Sequence, residues 1–230
     1  MYISSIIKSR TTSEKNAAIA LEKAVKGVGR SSQETLQDVK LGVERASWYS
    51  SCLFDKYDNV CSELKNEDSR FIKSVFEIYK RKDVIADIMQ MYVSEELKKT
   101  SNSKIQSLDI KLAKVIAGYS GGRLTKTAMA NSLSILIVNS FGFKNEVLFQ
   151  LNKYSLAIVT ATYFYGKVQM AAQWAKKLRS LSPELYYMLY QNNMEMLYFL
   201  VGEKIEKTLI NSMDLRGEDR FVSIIKHLTN

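Results

Sequence analysis

Apolar side chains recur along most of this chain at alternating spacings of three and four residues, the period of one face of an α-helix. A single proline and ten glycines interrupt 230 residues. So few breakers permit long helices nearly everywhere and disfavour a turn-rich β fold. The expected fold class is all-α: a multi-helix bundle with a central hydrophobic helical hairpin packed among long amphipathic helices.

In chain order, Tyr2, Ile3, Ile6 and Ile7 form an apolar patch expected to dock as a helical turn or arm. An alanine-rich helix follows, with Ile19, Leu21, Ala24, Val25 and Val28 on its face and Gly27 and Gly29 at its end. Ser31 and Glu34 have capping-box spacing, which predicts a long helix striped by Leu36, Val39, Val43, Ala46, Leu53, Tyr57, Val60 and Leu64. Asn66 to Ser69 is the expected loop to a second long helix, Phe71 to Tyr92, antiparallel to the first, with Lys80, Arg81 and Lys82 on a solvated face. Cys52 and Cys61 then fall on one helix, on opposite faces and roughly 13 Å apart along the axis. That geometry predicts free thiols in a reducing compartment.

Lys98 to Lys104 is the most linker-like stretch. It divides the chain into an amphipathic region, 1–100, and a basic region, 101–230, that contains the hairpin, the two packed as one unit. Ile105, Leu108, Leu112, Val115 and Ile116 mark a helix closed by Gly118, Gly121 and Gly122; lacking the Lys-Ser/Thr of a phosphate loop, these glycines read as a stop. Ser182, Pro183 and Glu184 start a helix expected to reach Asn211. Phe221, Ile224, Ile225 and Leu228 form the docked face of a short terminal helix, with Val222 adding to it.

The hairpin is expected over Leu124–Gly166. Thr127 to Phe143 has no ionisable side chain and Val147 to Gly166 has only Lys153, with Lys144, Asn145 and Glu146 as the turn. Seventeen helical residues span roughly 26 Å, short of a hydrocarbon core of about 30 Å. With Asn131, Asn139, Asn152 and Lys153 inside the windows, a constitutive span is disfavoured and burial in a bundle is the default.

Charge changes the picture. Between Ile110 and Pro183, ten cations face one acid, Glu146, so this segment alone matches the +9 of the whole chain. Lys111, Lys114, Arg123, Lys126, Lys167, Lys176, Lys177 and Arg179 are therefore candidates for binding an anionic surface, where each basic residue contributes about 1 kcal/mol. These cations bracket apolar runs, which suits anionic membrane lipids better than nucleic acid.

A hydrophobic hairpin held inside a helical bundle resembles, in architecture, the pore-forming colicin domains, over about the middle fifth of the chain. The resemblance implies that Lys144, Glu146 and Lys153 sit near a hairpin tip. Asn131, Ser134 and Asn139, with Ile137 beside them, are candidates for the inserting or pore-lining face, because polar groups within a membrane need water or one another.

Catalytic chemistry has little to stand on. His227 is the single histidine, no second one supports a metal pair, and no nucleophile context surrounds it. Glu95-Glu96 and Glu218-Asp219 read as solvated pairs on different helical faces. No cofactor or metal is expected, and no enzymatic activity. The start MYISSIIKSR lacks the layout of a secretory signal peptide, which predicts a protein cytoplasmic as synthesised, with export by another route before action at a target membrane. The function expected is a membrane-permeabilising toxin-like or effector-like protein acting on anionic membranes, accompanied by an immunity, chaperone or other protein partner. The alternative is a helical protein-interaction module.

Overall fold

The computed structural model describes residues 32–81, 83–123, 125–140, 142–143 and 161–230. All regular structure among them is helical, as the spacing requires. The α-helices are α1 (Ser32–Trp48), α2 (Asp58–Lys80), α3 (Val84–Lys98), α4 (Ile105–Val115), α5 (Lys126–Asn139), α6 (Ala161–Leu181), α7 (Pro183–Gln191), α8 (Phe199–Asn211) and α9 (Gly217–Thr229). Ser31, the first two apolar segments, the hairpin turn and residues 147–160 of its second window lie outside the described residues.

The helices break at places that short-range pattern does not indicate. The first long helix stops at Trp48. Two 3-10 turns follow, Tyr49–Leu53 and Asp55–Tyr57, with Phe54 extended between them (φ −134°, ψ 121°). Serines cluster here, and their hydroxyls compete with the helical ladder; Ser47 Oγ already donates back to the Glu44 carbonyl at 2.7 Å. The chain reverses, and Cys52 and Cys61 meet as a disulfide with their Cα atoms 4.9 Å apart. This corrects the expectation of two free thiols. A separation of 13 Å holds only along an unbroken helix.

Asn66 to Ser69, expected as a loop, lies inside α2. Its acids are held from a distance: Arg45 donates to Glu67 at 2.8 Å and to Asp68 at 2.7 Å. The break falls instead near Asp83, whose carboxylate accepts from the Ala86 amide at 2.9 Å and so caps α3. The helix expected from Ser182 to Asn211 also divides. Asn193 takes the left-handed conformation (φ 55°) that asparagine tolerates, and a 3-10 turn at Glu195–Leu197 leads into α8.

The chain forms two units, 1–71 with 154–173, and 72–153 with 174–230. In the first, Arg45 ties α1 to Asp68 of α2 and to Gln169 of α6 at 2.9 Å, and the Tyr49 and Tyr165 rings meet edge-on at 5.9 Å. In the second, α3 packs on α5 and α7, while α9 packs on α4, α5 and α8. Ile88, Met89, Val93 and Leu97 of α3 face inward with Met129, Leu133 and Ile137 of α5 and Ile224, Ile225 and Leu228 of α9. Glu95 and Glu96, expected in solvent, are buried in this unit. Lys98 reaches Glu95 at 2.7 Å, Lys99 reaches Glu96 at 2.6 Å and Arg220 reaches Glu96 at 3.4 Å, so both buried carboxylates are paired.

Candidate functional site

In the second unit a cleft of about 470 Å³, open to solvent, lies between α4 and α9 and is lined by Lys111, Lys114, Lys226 and His227 together with Asp219. Each wall follows from helical periodicity. Ile105, Leu108 and Leu112 bury one face of α4, which turns Ile110, Lys111, Lys114 and Val115 outward within an arc of about 140°. On α9, burial of Phe221, Ile224, Ile225 and Leu228 turns Val222, Ser223, Lys226 and His227 outward within a similar arc. Val222, expected on the docked face, is half-buried and lines the cleft instead.

A clamp fixes the end of α4. The buried Asp109 carboxylate accepts from Tyr119 Oη at 2.7 Å, from the Gly122 amide at 2.6 Å and from the Arg123 amide at 3.3 Å. Gly122 adopts φ +98°, a conformation open to glycine. The glycine-rich stretch thus stops a helix, as its sequence indicates, and also folds back onto that helix. Burial, then the hydrogen bond to Asp109, pushes the Tyr119 hydroxyl above its ordinary pKa, so it stays a donor.

The lysines of the cleft differ in their commitments. Lys111 Nζ lies 3.1 Å from both Asp219 and Glu218. Those carboxylates, Asp219 first, raise the Lys111 ammonium above the ordinary lysine value. Lys114 and Lys226 carry no ion pair among the described residues. His227 Nδ1 lies 2.8 Å from the Ser223 carbonyl; a carbonyl only accepts, so Nδ1 carries hydrogen and Nε2 is the uncommitted nitrogen.

Of the eight cations expected to bind an anionic surface, Lys111 and Lys114 meet in this cleft. The others stand elsewhere. Arg123 donates to the Ser120 and Gly121 carbonyls and stacks 5.7 Å from the Tyr119 ring centroid. Lys126 Nζ donates to the Thr100 carbonyl. Lys167 is buried in α6, and Lys176 is exposed on the same helix. Lys177 pairs with Glu206 and sits 4.9 Å above Trp174, and Arg179 lies 5.8 Å from the Tyr186 ring.

The expected inserting face is not one face. Asn131 and Asn139 are exposed, Asn131 accepting from Gln90 and Asn139 donating to the Ile135 carbonyl at 2.9 Å. Ser134 and Ile137 are buried, and the Ser134 hydroxyl donates to the Asn131 carbonyl at 3.0 Å. Lys144, Glu146 and Lys153 lie outside the described residues. Among the described residues no helix is long and apolar enough to cross a membrane, and none of their His, Cys, Asp and Glu side chains cluster as a metal site.

Lys226 and His227 escape the charge count because the cationic segment ends at Pro183 and the stretch after it, with seven acids and five basic residues, has no cationic excess. The signal that could have found them is the basic last turn of the terminal helix. No protein-family model matches the chain, and no curated protein or solved structure is significantly similar to it.

Proposed function

We propose that this chain is a membrane-active helical protein that engages anionic bilayers through the α4–α9 face. The observation that carries this reading is the pairing of free cations with exposed apolar side chains on one surface. Lys114 and Lys226 have no acidic partner among the described residues, while Ile110 and Val115, beside Lys114 on α4, are 49% and 47% exposed. Cations that pin an amphipathic helix to anionic headgroups, with apolar neighbours that dip beneath them, are the ingredients of interfacial binding. In this reading the apolar windows Thr127–Phe143 and Val147–Gly166 are handed to the bilayer after docking. Helix α5, about 21 Å long, crosses no membrane unaided.

The test is dye release and binding with folded protein on phosphatidylglycerol-containing and purely phosphatidylcholine vesicles, at neutral and mildly acidic pH. The expected outcome is binding to the anionic vesicles that weakens as salt is raised, with leakage following binding. Absence of both on anionic vesicles, at either pH, rejects the reading.

A second reading, a protein-interaction module, is favoured by one further observation. The disulfide-closed turn exposes Trp48 (40%), Leu53 (51%), Phe54 (50%) and Tyr57 (46%) within ten residues. Exposed aromatic clusters of this kind mark interaction surfaces.

A further inference from the structure

We propose that the α4–α9 cleft is a receptor for a single phosphate monoester group, with its carbon skeleton against the apolar wall. The inference rests on the membrane reading only for the source of that phosphate, a lipid headgroup.

Charge comes first. Lys111 is engaged by Asp219 and Glu218, so it holds the rim in place and is not the primary contact. Lys114 and Lys226 remain, one from each helix, both lining the same volume and neither neutralised among the described residues. A phosphate monoester carries up to two negative charges near neutral pH, whereas a diester carries one. Two free ammonium groups therefore match the monoester. Lysines suit it as compact point charges that approach a tetrahedral oxyanion from two sides.

His227 adds a contact that works in either protonation state. Because Nδ1–H is spent on the Ser223 carbonyl, Nε2 is the nitrogen left for a ligand. As imidazolium, Nε2–H donates to the dianion. As neutral imidazole, Nε2 accepts from the P–OH of the monoprotonated ester. Ser223 Oγ lies 3.0 Å from Ser212 Oγ and 3.4 Å from His227 Nδ1, while the Ser223 carbonyl, at 2.8 Å, makes the shorter contact that positions the ring.

Size and lining supply the rest. A volume of about 470 Å³ exceeds what a bare phosphate fills and falls among small-molecule pockets of roughly 300–1,000 Å³. Val115 and Val222 offer the ester's carbon portion an apolar wall on the same cleft. A free phosphate ester and phosphatidic acid share this chemistry, and the experiment must separate them.

Binding is measured to phosphatidylcholine vesicles doped with phosphatidic acid or, at matched surface charge, with phosphatidylglycerol. Inorganic phosphate is titrated in parallel by NMR on the full chain. Two double variants are compared: Lys114→Ala/Lys226→Ala in the cleft, and Lys176→Ala/Arg179→Ala as an equal charge loss elsewhere. The expected result is preference for phosphatidic acid, reduced about thirtyfold by the cleft pair, at roughly fivefold per lysine, and much less by the control pair. Inorganic phosphate should shift the His227 ring resonances in the wild type and not in the cleft variant. Equal binding to both lipids, with both double variants equally impaired and no phosphate shift, overturns the headgroup site while leaving general anionic-surface binding intact. Phosphate shifts without any vesicle binding keep the site and transfer its ligand to a free phosphate ester, which overturns the membrane source.

Discussion

Arg45 has no exposed side-chain surface and makes five hydrogen bonds, to Asp68 twice, Glu67, Gln169 and the Leu64 carbonyl, at 2.7 to 3.1 Å. That uses the full donor capacity of a guanidinium, the condition under which a buried cation is tolerable. Arg45→Met strands two partly buried carboxylates, so unfolding in urea should show a loss of about 3–5 kcal/mol. A loss under about 1 kcal/mol would mean that the acids find water instead. Glu77 is a second residue whose environment sets its chemistry. The hydrogen bond from Arg81 at 2.7 Å, aided by Lys80 and opposed by burial, holds the Glu77 carboxyl below its ordinary value of 4.5. A carboxyl depressed in the folded state stabilises it fully above the unfolded value and loses that contribution as pH falls through the folded one. The stability gap between wild type and Glu77→Gln should therefore be largest near neutrality and shrink below about pH 4.5, read from urea midpoints across that range. A gap that does not change with pH would show that Arg81 does not perturb Glu77.

At the scale of elements, what distinguishes this chain from a set of uninterrupted helices is where it turns. The turn between α1 and α2 is closed by Cys52–Cys61 across nine residues of sequence. A loop this short contributes about 2–3 kcal/mol by restricting the unfolded chain. Cys52→Ser should lower the urea midpoint correspondingly, and reductant should do the same to the wild type while leaving the variant unchanged. Other elements are limited by packing. Gly202 of α8 lets Trp174 approach so closely that a Cβ there would lie 2.7 Å from the indole ring. That contact is invisible to helix propensity, which counts glycine in a helix only as a cost.

Across the whole molecule, charge is segregated along the sequence and partly reconciled in space. The segment from Ile110 to Pro183 holds the net excess, yet α9 brings Glu218 and Asp219 to Lys111, and α8 brings Glu206 to Lys177. The excess that remains in the cleft is therefore on Lys114, from the segment, and on Lys226, from outside it. The vesicle comparisons act at this scale, since they ask whether a surplus gathered on one face does what a surplus spread over the surface would not.

The sequence by itself determines the helical class. Its three-and-four spacing and its scarcity of proline and glycine imply an all-helical chain, because helix formation responds to neighbours within a turn or two. The start at Pro183, the stop ahead of Gly118 and the core side of α9 are legible for the same reason, as each depends on residues that touch along one helix. Tertiary structure decides what depends on residues far apart. Asn66 to Ser69 stays helical because Arg45, 22 and 23 positions from Glu67 and Asp68, satisfies their charge. Cys52 bonds to Cys61 because a turn replaces a helix, and Lys111 meets Asp219 across 108 residues. Local pattern encodes the period of a helix, but a site made by two helices exists only once packing has chosen which faces are left to solvent.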